Sequence, residues 1–322
     1  MANLPRYKDL DRPDENGLPL AWGLWGKDDE IGTLNHLSDE VVRDSVSLVK
    51  RGLRFNLNLP LHVPFGVMTP GVHRTRAPFE PIMFEYNDGE RIARDDKLNG
   101  FFLQGSTQWD GLTHIGDPKR GFYNGVQPAQ VTHDEGSRNG IDKVAIKGIV
   151  GRGVVVDLVR YFAKTGRPWH PTGQDVASAD DLAACLSDQK VALKAGDILL
   201  IRMGWVQEFL SARDQSARDT MFRPLHYSGL SGEEDMWRFI WDNNLSAVAG
   251  DNVALEVFPL RKGRPSLHLA IARLGIMIGE LFDLEALAAD CFATGNYECL
   301  FTSSPLNLRG GVGSPANALA IK

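Results

Sequence analysis

Residues 143–159, KVAIKGIVGRGVVVDLV, place β-branched side chains on both flanks of Gly151-Arg152-Gly153. The run Val154-Val155-Val156-Asp157-Leu158 is apolar without alternation, the pattern of a strand buried on both faces, as in a parallel sheet. Residues 194–205, KAGDILLIRMGW, repeat the theme, with a turn at Ala195-Gly196-Asp197 and a second buried strand at Ile198-Leu199-Leu200-Ile201. Residues 245–249 form a third, ending at Gly250-Asp251-Asn252, and Ile276-Met277-Ile278 a short fourth leading to Glu280. Helical segments lie between them. Residues 178–189, SADDLAACLSDQ, start on a Ser cap with two acids in the first turn. Residues 233–243 carry Met236, Trp237, Phe239, Ile240 and Trp241, and residues 266–274 end at Gly275. Strands and helices that interleave in this way give an α/β fold with a mixed sheet flanked by helices.

Outward from this centre the chain is less regular. Residues 55–59, FNLNL, alternate and are expected to be a strand. Residues 36–52 are expected to be a helix, capped by Ser38, striped by Val41, Val42, Val46 and Val49, and stopped by Gly52. Residues 1–35, rich in Pro, Gly, Asp and Trp, suit an irregular arm wrapped on the body. No Pro/Gly/Ser linker divides the chain. The expected organisation is an arm and helix over residues 1–50 and a single domain over residues 51–322.

Composition narrows the function. The 322 residues include 35 Lys+Arg and 41 Asp+Glu, a formal net charge of −6, with 43% hydrophobic and 24% charged residues. That is the balance of a soluble globular protein, not a disordered one. Without a basic excess there is nothing to neutralise phosphates, which argues against a nucleic-acid partner. No run approaches the ~20 apolar residues of a membrane helix. The N-terminal residues contain no apolar core of a signal peptide, so a reducing cytoplasm is the expected location. Cys185, Cys291 and Cys299 contain no CxxC and are expected to be buried thiols. Nucleophile-elbow, P-loop, dinucleotide-binding and HExxH patterns are all missing from the sequence.

Three segments gather polar chemistry. Residues 101–114, FFLQGSTQWDGLTH, pass from apolar into a run of hydrogen-bonding side chains that ends with Asp110 and His114. His268 and Glu280 lie in the apolar stretch SLHLAIARLGIMIGE, where a titratable group must be paired or bound to something. His226 sits in HYSGLS, a polar loop before the Trp-rich helix, where Ser231 is expected to cap. Taken alone, each of the eight histidines (His36, His62, His73, His114, His133, His170, His226 and His268) is an ordinary surface or core residue.

Together and in order, these segments resemble the cyclase family of metal-dependent hydrolases, which includes bacterial kynurenine formamidase and isatin hydrolase. Its signature, HxGTHxDxPxH, falls on residues 104–114. Thr107, Asp110 and His114 match it, while Gln104 and Gln108 stand where the family has histidines. The likeness continues through residues 153–157, 194–205, 226–231 and 249–252, through His268 and Glu280, and through the closing Pro305-Leu306 and GGVGSP, so that it spans residues 50–320. Residues 22–35 look like the arm of the longer members.

The resemblance implies a swivelling β/β/α fold, a homodimer or homotetramer, and a metal held by Asp110, His268 and Glu280. His114 would act in proton transfer. Two carboxylates and an imidazole suit Zn²⁺ or Mn²⁺. Because amides are poorer donors than imidazoles, one metal ion per chain is expected, with Gln108 as a further ligand or a donor to one. Gln104 would bond substrate or a carboxylate, and Trp109 and His226 would line the pocket. The expected reaction is hydrolysis of an amide, imide, lactone or ester in a small carbonyl substrate, with His114 as general base. Two alternatives stay open: a metal-free small-molecule binder, suggested by the two glutamines, and a metal-dependent lyase or isomerase.

Overall fold

The computed structural model describes residues 4–13, 17–67, 76–222, 225–260, 263 and 265–322. Its centre is a nine-stranded mixed sheet. In chain order the strands of the protein are β1 (Arg54–Asn56), β2 (Glu80–Asn87), β3 (Ile92–Asn99), β4 (Gln108–Asp110), β5 (Ile149–Asp157), β6 (Val176–Ala177), β7 (Ile198–Arg202), β8 (Gly229–Leu230), β9 (Ala247–Gly250), β10 (Met277–Glu280), β11 (Glu298–Ser303), β12 (Gly313–Pro315) and β13 (Ala318–Ile321). The large sheet runs β1-β13-β11-β5-β7-β9-β10-β4-β12, while β2-β3 and β6-β8 stand as separate pairs. The four apolar strands expected from the sequence, β5, β7, β9 and β10, are parallel neighbours at its middle. Every residue of β7, β9 and β10 is buried, as expected of parallel strands covered on both faces. Antiparallel strands complete both sides, and helices flank the sheet, giving the single α/β domain.

The helices are α1 (Asp39–Val46), α2 (Ile141–Lys147), α3 (Leu158–Thr165), α4 (Ala179–Asp188), α5 (Trp205–Ser211), α6 (Gln215–Thr220), α7 (Glu234–Asp242), α8 (Leu269–Leu274) and α9 (Glu285–Thr294). The Ser178 hydroxyl accepts from Asp181 N at the start of α4, and the Asp181 carboxylate accepts in return from Ser178 N. The described parts of the N-terminal arm lie on α7 and α8. Tyr7 N donates to Asp242 Oδ1, Trp22 Nε1 to Ala272 O, and Trp25 packs against Trp241.

Local patterns gave way at three places. Residues 143–147 belong to α2 rather than to a strand, and Gly148 at φ +70° ends that helix. Strand β5 then runs unbroken through Gly151 and Gly153. A Cβ on Gly153 would lie 2.7 Å from Cys299 Sγ, so these glycines permit close packing and do not break the strand. The helix expected over residues 36–52 keeps its Ser38 cap, whose hydroxyl accepts from Val41 N, but stops at Val46. Val46 is 55% exposed, and the chain turns so that Arg51 N and Leu53 N can donate to Lys322 O. Ser231 is not the cap of α7; Glu233 is, and the Ser231 hydroxyl accepts from Glu233 N. All three cysteines are buried free thiols. Among the described residues no helix is long and apolar enough to cross a membrane.

Candidate metal centre

Sheet register assembles the site. Antiparallel pairing of β4 with β10 sets Gln108 opposite Glu280 and Asp110 opposite Ile278. Side chains alternate along a strand, so Gln108, Asp110 and Glu280 share one face and Trp109 points to the other. The start of β4 is pinned by Thr107, whose hydroxyl donates to Leu281 O and accepts from Leu59 N. Trp109 is fully buried in the core between Phe282 and Phe301, and its Nε1 donates to the Ser303 hydroxyl. It fits there because Gly279 faces it. A Cβ on Gly279 would lie 2.9 Å from the Trp109 ring and 2.7 Å from Ala249 and Phe282. The pocket role expected for Trp109 is therefore corrected: the pleat turns it away from the polar face.

His268, immediately before α8, brings an imidazole to the same place. Its Nε2 lies 3.1 Å from Glu280 Oε1 and 3.6 Å from Asp110 Oδ2. Ligand atoms of Asp110, His268 and Glu280 all fall within 4.8 Å of one another. His114 follows β4 in a turn closed by its own N–H to Gly111 O, and its Nε2 is 3.6 Å from Asp110 Oδ1. Its side chain remains 24% exposed, so it borders the cluster on an open side.

Glu256 completes the arrangement. Its carboxylate takes His268 Nδ1 at 2.5 Å, Leu267 N at 2.7 Å, the Ser266 hydroxyl at 2.6 Å and His268 N at 3.2 Å. Occupying Nδ1 in this way points Nε2 at the two carboxylates. Gly229 lets the Glu256 backbone approach, since a Cβ there would sit 2.4 Å from its carbonyl carbon. Sequence reasoning missed Glu256, although a charged residue inside the apolar run VALEV was a visible signal. It also missed Arg76, whose charge acts on both Asp110 and Glu280. Nothing in the local sequence marks that arginine.

The electrostatics are those of a site short of positive charge. Burial works against the Asp110 anion, yet His114 and His268 hold its carboxyl below the usual range. Burial and the neighbouring Asp110 push Glu280 up. Burial disfavours His268 as a cation, but Asp110, Glu256 and Glu280 outweigh it and raise its pKa well above the ordinary value. Among the described residues neither Asp110 oxygen has a hydrogen bond, and both are buried. Gln108 Nε2 donates to Glu280 Oε2 at 2.5 Å, while its Oε1 is buried without a partner. Buried carboxylate and amide oxygens without donors are costly unless something cationic meets them. This donor set, two carboxylates, one imidazole and one amide oxygen, fits a divalent cation.

Two further expected site residues have neighbours outside the carboxylate cluster. Gln104 is half-buried over β12, where a Cβ on Gly313 would be 2.6 Å from its Nε2. His226 is held by Gln174 Nε2, 3.1 Å from either ring nitrogen, and not by the carboxylate cluster. His73 lies outside the described residues.

Comparison with known proteins shows the family and the fold. The family model described as Putative cyclase matches residues 57–257, which include Asp110 and Glu256 but not His268 or Glu280. A solved structure of a novel cyclase is 32% identical, with 94% of this chain and 99% of that one covered and a TM-score of 0.81. Isatin hydrolase A from Ralstonia solanacearum is 16% identical over 84% of this chain and 92% of its own, with a TM-score of 0.55. An isatin hydrolase bound to the product analogue thioisatinate is 13% identical over 88% and 98%, also with a TM-score of 0.55. The two hydrolases share the fold. No curated protein matches the chain.

Proposed function

Since the chain belongs to the cyclase family, we propose that it is a metal-dependent hydrolase of a small carbonyl compound, acting on an amide, imide, lactone or ester bond. The observation that carries the reading is Asp110: a fully buried carboxylate with neither oxygen hydrogen-bonded among the described residues, converging with His268 and Glu280. One divalent cation, Zn²⁺ or Mn²⁺, would be held by these three, with Gln108, on the same strand face as Asp110, as a further ligand or a donor to one. When bound, such an ion supplies the Lewis acidity that polarises a carbonyl and acidifies water.

The chain's own groups do the rest. Glu256 fixes the His268 ring so that Nε2 serves the site. His114, beside Asp110 and open to solvent, takes a proton from water and returns it to the leaving group. Gln104, half-buried over β12, would bond a polar group of the substrate. The amides at Gln104 and Gln108 support a single ion per chain.

The test is hydrolysis of a panel of small amides, imides, lactones and esters in ¹⁸O-water by protein reconstituted with Zn²⁺ or Mn²⁺. Solvent oxygen must enter the product. His114→Ala should lower kcat by ~10²–10⁴ with metal content unchanged at one ion per chain. Product without ¹⁸O would favour a lyase or isomerase. Protein that takes up no metal would favour the binding-only alternative.

A further inference from the structure

Tyr227 lies in the loop ahead of β8 and is 6% exposed. Of the three buried tyrosines, Tyr7 donates to Glu234 and Tyr123 to Asp29. The Tyr227 hydroxyl has no hydrogen bond among the described residues. A phenol left so in a folded interior costs free energy until a partner meets it. Two segments of the metal centre flank the residue. Its backbone exchanges both hydrogen bonds with Phe258, two positions after Glu256. Asn252 Nδ2 donates to Ser228 O and Asn252 O accepts from Leu281 N, which ties the same loop to the residue after Glu280. The ring stacks on Phe258, 5.3 Å between centroids, and joins Leu59, Phe65 and Leu281 in an apolar cluster separate from the main core. Arg76 lies over the Phe65 ring. The charges of Glu280 and Arg76 both reach the phenol, and Arg76 acts on Asp110 and Glu280 as well. The hydroxyl is therefore on the side of the carboxylate cluster, with the ring clamped behind it.

On the premise that the chain is the hydrolase described above, we propose that Tyr227 is a catalytic residue whose hydroxyl donates a hydrogen bond to the substrate oxygen that becomes an oxyanion. Attack by water forms a C–O bond at the carbonyl carbon and moves the π pair of the C=O bond onto its oxygen. The phenol O–H meets that charge and keeps its own proton, while His114 handles the proton of the water. Burial and Glu280 push the phenol pKa up and outweigh the pull of Arg76, so the group is an undissociated donor at neutral pH. A donor fixed by stacking needs no reorganisation as the charge develops, which favours the transition state over the bound substrate.

Tyr227→Phe tests this, because it keeps the ring and its stack on Phe258 and removes only the hydroxyl. In protein loaded with Zn²⁺ or Mn²⁺, kcat for an ester or amide that wild type hydrolyses should fall ~10²–10³-fold, with KM, metal content and Tm little changed. A purely structural hydroxyl would move Tm and leave kcat alone, and that result would overturn the inference while the hydrolase function stood. The tetrahedral anion methylphosphonate reads the same donor without turnover. Titration calorimetry on the metal-loaded protein should show it bound ~10–100-fold more weakly by the variant. If wild type hydrolyses no ester or amide, the hydrolase function fails and methylphosphonate decides alone. Binding that depends on the hydroxyl would then uphold Tyr227 as an oxyanion donor, whereas equal binding, or none to either protein, would overturn it.

Discussion

Asp110→Asn separates a metal centre from a static ion cluster, because only a metal centre makes wild type, and not the variant, gain stability from added metal. Asp110 lies 3.6 Å from His268 Nε2. At an effective dielectric of about 20, losing that attraction to a charged imidazole costs ~4.6 kcal/mol. The same change removes repulsion between Asp110 and Glu280, whose ligand atoms are no more than 4.8 Å apart. That relief is worth at least ~3.5 kcal/mol on the same scale. It also removes a buried carboxylate with neither oxygen hydrogen-bonded, a burden of several kcal/mol in its own right. Because His114, also 3.6 Å away, and His268 together still hold the Asp110 carboxyl below its usual range, the balance favours the anion and the metal-free variant should be the less stable one. Wild type should gain ~4 kcal/mol from Zn²⁺ or Mn²⁺ at a thousandfold excess over Kd, a rise in Tm of ~6 °C for a chain of this length. The variant should gain almost nothing. Differential scanning calorimetry with and without chelator reads both quantities. A wild type indifferent to metal would refute the reasoning and make Asp110 part of a structural ion pair.

Three further outcomes follow from the packing. Glu256→Gln should weaken metal affinity ~10–100-fold by releasing His268 Nδ1, read by titration calorimetry, with the fold retained by circular dichroism. His36 is buried against Trp25, and burial pulls its pKa down to about 4 from 6.5. The unfolded chain binds the proton more readily, so this contribution is complete above pH 6.5 and is lost as pH falls toward 4. Urea denaturation should show wild type losing ~3 kcal/mol more than His36→Gln across that window. Gly279→Ala should cost ~1–3 kcal/mol in the same measurement, because its Cβ would press on Ala249, Phe282 and Trp109.

The sequence by itself determined the parallel centre of the sheet. Runs such as Val154-Val155-Val156 and Ile198-Leu199-Leu200-Ile201 are too apolar for one solvent face, so burial on both sides follows from composition alone. The family resemblance carried by the ordered segments implied Asp110, His268 and Glu280 as companions, although 170 positions separate the first from the last. Tertiary structure alone decided how they meet. Pairing of β4 with β10 puts Gln108 and Asp110 on the site face and turns Trp109 into the core, and a one-residue slip would have reversed all three. Glu256 and Arg76 reach the cluster from segments with no local tie to it, and the exposed face of Val46 ended a helix that its own stripe would have prolonged. Local periodicity records which side chains avoid water, whereas a site depends on which strands become neighbours, and that choice is made by the packing of the whole sheet.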